Sequence, residues 1–221
     1  MNIKVQALIK FVSGLIMVIL LIFVPAGTLH YINGWILTGI LFIPMLIIGI
    51  VMSVKNPELL EKRLNAKKKD SGQKNIIRFS GIIFLAGFIV AGLNYRFKWL
   101  IIPQWAVIIS SIVFLLSYAM YAEVLRENTY LSRTVEIQEN QKIIDTGLYG
   151  IIRHPMYTAT IIMFLSIPLV LGSFHSFVIF LLYPVIIVMR LSNEEKFLEN
   201  NLDGYSQYKN KVKYRLIPFI W

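Results

Sequence analysis

Residues 153–195 read RHPMYTATIIMFLSIPLVLGSFHSFVIFLLYPVIIVMRLSNEE. Two apolar runs, 157–171 and 177–189, are separated by Gly172-Ser173. Charge flanks them on both outer sides, with Arg153-His154 before the first run and Arg190 with Glu194-Glu195 after the second. A bilayer core takes about 20 apolar residues per helix. The pattern therefore reads as two membrane-crossing helices joined by a tight turn, the first somewhat short and interrupted by Pro168. A hairpin of this kind must bring its two charged ends back to the same membrane face on neighbouring helices. Charged groups near hydrocarbon are costly unless they are paired or face a polar cavity, so the co-located set is a functional candidate.

Moving outward, four further apolar runs precede the hairpin, at 8–29, 34–54 (containing Pro44), 76–95 and 100–121. The first is too long for the roughly 7–15-residue core of a signal peptide and precedes no small-x-small cleavage pattern, so it is expected to remain as a span. The fold class expected is an all-α integral membrane protein of about six transmembrane helices. A short cytoplasmic extended flap and a C-terminal interfacial helix complete it. Composition agrees: 57% of the 221 residues are apolar and 15% charged, against roughly 45–50% and 25% in soluble domains, and the mean hydropathy is +0.66. The domain reading is one membrane domain, 1–221. It comprises a four-span portion, 1–122, and a second portion, 123–221, with flap, helical hairpin and C-terminal helix, which holds the functional candidates.

Orientation follows from Lys and Arg. With the N-terminus inside, 20 of the 22 fall on the inner side and only Arg96 and Lys98 outside. Positive residues accumulate on the cytoplasmic side, so both termini and the charged ends of the hairpin are expected there. The same rule accounts for the net charge of +10 without a nucleic-acid partner, for which no basic soluble domain exists. Cysteine is absent, which excludes disulfides, thiolate metal sites and a cysteine nucleophile. The three histidines, His30, His154 and His175, lie in separate segments, so no metal site is expected.

Around the hairpin, local patterns add detail. His154-Pro155 reads as a helix start, since proline is favoured in the first turn; the free N–H groups of that turn would suit an anion. Arg190 and Glu194 are four apart and share a helix face, able to pair, whereas Glu195 points about 100° away, towards a different ligand group or solvent. Residues 129–138 show partial alternation with β-branched residues, and 142–144 form a second short piece across a turn at Glu139-Asn140, together suggesting the flap. Asp145-Thr146-Gly147 turns the chain into Leu148-Tyr149. Residues 193–213 are polar, with Phe197, Leu198 and Leu202 at helical spacing, so they are expected to form a helix that lies on the inner surface or packs against the bundle rather than crossing. Taken singly, Arg153 and Arg190 would be helix-end anchors, and Tyr205 and Tyr208 ordinary interface aromatics. Co-location distinguishes the central set.

The motifs Asp145-Thr-Gly-Leu-Tyr149 and Arg153-His-Pro-Met-Tyr157, followed beyond a hydrophobic hairpin by Arg190 and Glu194-Glu195, resemble the isoprenylcysteine carboxyl methyltransferase family. Related membrane phospholipid N-methyltransferases share the Arg-His-Pro-x-Tyr and paired-Glu pattern. The resemblance runs from about residue 121 to the end, including Tyr205, Tyr208 and Arg215-Leu-Ile-Pro218. It implies S-adenosylmethionine as methyl donor and a lipid-borne or prenylated acceptor arriving from the surrounding membrane lipids. By the same resemblance, the cofactor set is Gln138, Gln141, Lys142, Ile143, Ile144, Tyr149, His154, Pro155, Met156, Tyr157 and Glu194. Catalysis would fall to Arg190, holding an acceptor carboxylate, and Glu194. The flap is shorter here than in some eukaryotic members.

Three other functions fit parts of the pattern. Phospholipid N-methylation would need Glu194 or Glu195 to remove an amine proton. A sterol-reductase-like enzyme would use the basic residues for NADPH, but no reductase motif accompanies them. A transporter or scaffold draws on Pro44, Pro103 and Pro168, because broken helices often line transport sites.

Overall fold

Apolar side chains surround the long helices on every face, as expected of segments whose solvent is lipid. The computed structural model describes residues 3–64, 71–131, 137 and 141–221. Its helices are α1 (Ile3–Ala26), α2 (Ile32–Lys55), α3 (Pro57–Leu64), α4 (Ser71–Phe97) and α5 (Gln104–Glu127), then α6 (Pro155–Val170), α7 (Phe174–Phe180), α8 (Leu182–Asn201) and α9 (Tyr205–Lys211). A single 3₁₀ turn, Gly147–Gly150, precedes α6. Five segments are long and apolar enough to cross a membrane: α1, α2, Ile76–Phe97 of α4, α5, and Phe174–Asn201, which joins α7 to α8. The sixth, α6, is apolar but has 16 residues, about 24 Å of helix against a hydrocarbon core of about 30 Å. The chain is an all-α integral membrane protein.

The described residues hold no strand beyond one bridge, Ile101 with Ser173. That bridge, with Ile102 N–H donating to Gly172 O at 3.3 Å, sets the hairpin tip beside the α4–α5 connector. At the other end of the bundle, Lys10 Nζ donates to Leu64 O at 2.5 Å, and Arg63 donates to the Tyr121 hydroxyl. The start of α1, α3 and the end of α5 therefore share the bundle end opposite the hairpin tip.

Close approach between helices depends on small residues, which let backbones meet in lipid. A Cβ on Gly92 would lie 2.5 Å from Ile22 O, and one on Gly87 would lie 2.3 Å from the Phe180 ring. Phe180 is fully buried and meets Phe84 edge-to-face at 5.4 Å. This aromatic knot, with Ile22, Leu37, Phe114 and Ile167, forms the main core between α1, α2, α4, α5, α6 and α7.

Three local departures from the sequence expectation have identifiable causes. The connector after α2 contains α3, because Asn56 caps it (Leu59 N–H to Asn56 Oδ1, 3.2 Å) and Pro57 occupies its first position, a standard helix-start combination. The last apolar run is divided into α7 and α8: Pro184 has no N–H for the Phe180 carbonyl, and its ring crowds that carbonyl. The polar helix expected at 193–213 is not a separate unit. Its first part is the unbroken continuation of α8 through Arg190 to Asn201, and α9 follows a turn at Gly204 with φ +83°. Of the flap, residues 132–136 and 138–140 lie outside the described residues; 141–145 have no regular structure.

Candidate functional site: a carboxylate clamp beside a cavity

The α6 start is held by the C-terminal chain. Arg153 N–H donates to Tyr214 O at 2.9 Å and His154 N–H to Arg215 O at 3.0 Å, while Thr158 Oγ1 donates to Leu216 O at 2.8 Å. Of the first-turn donors, Pro155 has no N–H and that of Tyr157 is already taken by His154 O, which narrows the anion site expected at this helix start.

Side chains tighten the same junction. Glu195 Oε1 accepts from Arg153 Nε at 2.7 Å and meets His154 Nε2 at 3.2 Å, while Oε2 meets Arg215 Nε at 3.0 Å. Arg153 Nη1 donates to the carbonyls of Val212 (2.7 Å) and Lys213 (2.8 Å). Glu195 is 3% exposed and Arg153 6%. A buried ion is tolerated when its charge is paired and its remaining hydrogen-bonding positions are filled, as here. The expectation that Glu195 would stay solvated or serve a ligand gives way to a structural clamp joining α6, α8 and residues 212–215. Both glutamates sit on one helix about 100° apart; tertiary packing buries one and turns the other towards a cavity.

That cavity has a volume of about 110 Å³ and opens to the outside. Its walls bring together Gln141, Lys142, Ile143, Ile144, Tyr149, His154, Met156, Tyr157, Arg190 and Glu194. Pro155 does not line it; its fully buried ring starts α6. Gln138 lies outside the described residues. Tyr157 stands at the centre: its hydroxyl donates to Glu194 Oε2, Arg190 lies over its ring at 5.8 Å, and His154 stacks against it at 5.8 Å.

Sequence reasoning missed other lining residues, among them Asn128, Tyr130, Leu198, Leu202, Tyr205 and Tyr208. Asn128 Nδ2 donates to the Tyr149 hydroxyl at 3.0 Å, and the Tyr208 hydroxyl donates to Tyr149 O at 2.8 Å. Burial raises the pKa of both tyrosines above the ordinary value, so each remains a protonated donor at neutral pH. The apolar spacing of Leu198 and Leu202 leaves open the membrane surface or packing against the protein, and the structure takes the second: these side chains pack with Ile143 against Tyr205, Tyr208 and Val212.

The turn at 145–147 completes one wall. Lys211 Nζ meets Asp145 Oδ2 at 2.6 Å, and this hydrogen bond holds the Asp145 carboxyl below its usual pKa. Gly147 has φ +52°, and Glu127 Oε2 accepts the next N–H, that of Leu148, at 3.2 Å. A Cβ on Gly147 would lie 1.5 Å from Glu127 Oε1. Gly147→Ala therefore forces the carboxylate off its amide and places an L side chain in the left-handed region, at a cost of roughly 1–2 kcal/mol for the backbone alone. Denaturation in detergent should show a loss of at least that size; an unchanged midpoint would mean that the turn relaxes freely.

The chemical capacity of the cavity is specific: an apolar and aromatic wall, a carboxylate, and three cationic side chains, Lys142, Arg153 and Arg190, beside a short apolar helix. Residues 103–203 match the family model PEMT, phospholipid methyltransferase, a stretch that includes α5 to the end of α8 and hence both Arg153 and Glu195, and this match supports a membrane methyltransferase.

Proposed function

We propose that this protein transfers a methyl group from S-adenosylmethionine to a lipid-borne acceptor at the cytoplasmic boundary of the membrane, with carboxyl O-methylation as the reaction. The observation that carries the reading is the convergence of Ile143, Ile144 and Tyr149 with Tyr157, Arg190 and Glu194 on one cavity at the polar ends of α6 and α8. The charge asymmetry of the chain supports a cytoplasmic position for that end, with both termini on the same side.

The residues suit the donor. Ile143, Ile144 and Tyr149 offer an apolar face to a purine; Glu194, an acceptor only, suits an ammonium group. When bound, S-adenosylmethionine supplies an electrophilic methyl carbon on a sulfonium. For the acceptor, Arg190 provides a planar fork that binds a carboxylate through two parallel hydrogen bonds. A carboxylate is ionised at neutral pH, so no general base is required; orienting it supplies much of the acceleration. Tyr157, between Arg190 and Glu194, keeps the two in register.

A second reading, N-methylation of a phospholipid amine, is favoured by the family match at 103–203. It assigns Glu194 the removal of the amine proton. Incubation with methyl-labelled S-adenosylmethionine and a membrane lipid extract separates the two: label that mild base releases as methanol supports carboxyl methylation, whereas label that base leaves on nitrogen supports N-methylation. Donor binding is tested independently. S-adenosylhomocysteine at about 100 times its Kd should stabilise the folded state by about 2.7 kcal/mol; absence of a thermal shift at saturating ligand would remove the basis for both readings.

A further inference from the structure

Tyr205 opens α9 directly after Gly204 and is one of the residues that line the cavity. The residue is 4% exposed, and its hydroxyl is buried with no hydrogen-bond partner among the described residues. Buried phenol hydroxyls are normally hydrogen-bonded, because an unpaired donor has given up water for nothing. One turn on, Tyr208 follows that rule by donating to Tyr149 O at 2.8 Å. Burial raises the Tyr205 pKa, so the unused group is a proton donor at neutral pH.

The charged groups acting on Tyr205 narrow what it would meet. Glu195, Arg153 and Glu194 are all within electrostatic reach of it. Glu195 is engaged by Arg153, His154 and Arg215, and Arg153 by Glu195 and the carbonyls of Val212 and Lys213. Glu194 lines the cavity, with Oε2 already accepting the Tyr157 hydroxyl. This end of the cavity thus presents an acceptor-only carboxylate and an unused donor near each other. An α-amino acid carries the complementary pair on one carbon, an ammonium for Glu194 and a carboxylate for Tyr205.

We propose that the Tyr205 hydroxyl donates a hydrogen bond to the α-carboxylate of the methyl donor, making the Glu194–Tyr205 end of the cavity its amino-acid subsite. The assignment rests on the methyltransferase reading. It also sets an unusual sign: removing the hydroxyl should weaken the ligand without weakening the empty protein, because in the empty protein that hydroxyl has nothing to bond.

The test compares wild type and Tyr205→Phe in detergent, by ligand titration and by melting without ligand. S-adenosylhomocysteine should bind the variant about tenfold more weakly. Its fragment 5′-methylthioadenosine, which lacks the amino acid, should bind both proteins alike, and the ligand-free melting temperature should stay level or rise. Equal S-adenosylhomocysteine affinities, an equal loss for the fragment, or a lowered ligand-free melting temperature each overturn the proposal. Should the variant not fold, wild type alone decides: decarboxylated S-adenosylhomocysteine must bind about tenfold more weakly than the parent, and equal affinity overturns the assignment. Wild type that binds the fragment and S-adenosylhomocysteine equally well overturns the subsite alone, whereas wild type that binds neither overturns the donor reading with it.

Discussion

Glu195→Ala should destabilise the protein by about 3–5 kcal/mol, the loss expected when one partner of a buried ion pair is removed and the other is left behind. The substitution strands Arg153, 6% exposed, with its Nε no longer paired, and releases Arg215 from α8. Arg153 Nη1 still holds Val212 and Lys213, so the C-terminal chain should loosen rather than detach at once. Glu194→Gln is the informative control, since Glu194 lines the cavity and its amide replacement can still accept the Tyr157 hydroxyl. Chemical denaturation should separate the two adjacent glutamates by several kcal/mol, with ligand binding affected by the Glu194 change in a protein of near-normal stability. Equal stability of the two variants would mean that Glu195 is not the clamp described above.

Arg190→Lys addresses the chemistry instead. On the carboxyl-methylation reading, the expected loss in acceptor turnover is about ten- to a hundredfold, corresponding to a charge-assisted hydrogen bond of about 1.5–3 kcal/mol. Lysine keeps the charge but lacks the rigid fork that holds both carboxylate oxygens. Affinity for S-adenosylhomocysteine should change by less than about threefold, one such bond being outside the donor's contacts. The reverse pattern, with donor affinity lost and acceptor turnover per bound donor intact, would move Arg190 into the donor site. Its position over the Tyr157 ring at 5.8 Å makes a small donor effect reasonable and a large one hard to reconcile with an acceptor role.

Much of this architecture could be read directly from residues. Spans of about 20 apolar residues have few folded alternatives in lipid, because every backbone polar group must be satisfied within the segment. The Gly172-Ser173 turn then made neighbours of Arg153 and Glu195, and the structure joins them at 2.7 Å. Misplaced boundaries involved residues whose effect is local: Asn56-Pro57 starting α3, Pro184 ending α7, and Gly204 separating α8 from α9. In each case the boundary is set by capping or chain-breaking chemistry, which hydropathy does not register.

The roles of the paired glutamates were of a different kind. Periodicity shows that Glu194 and Glu195 face different directions, but not which direction is inward. The decision depends on residues 212–216 folding back over the α6 start, an arrangement made by Arg153, Thr158 and backbone donors far away in sequence. Tyr205 and Tyr208 illustrate the same limit. Nothing local separates a tyrosine that bonds Tyr149 O from one whose hydroxyl is left without a partner among the described residues. The membrane class, the hairpin and the meeting of its charged ends follow from the residues alone, because hydrophobicity and helix length act within each segment. Which charge is buried, which lines the cavity and which donors are already used emerge only in the folded bundle, because hydrogen bonds and burial depend on what packs alongside.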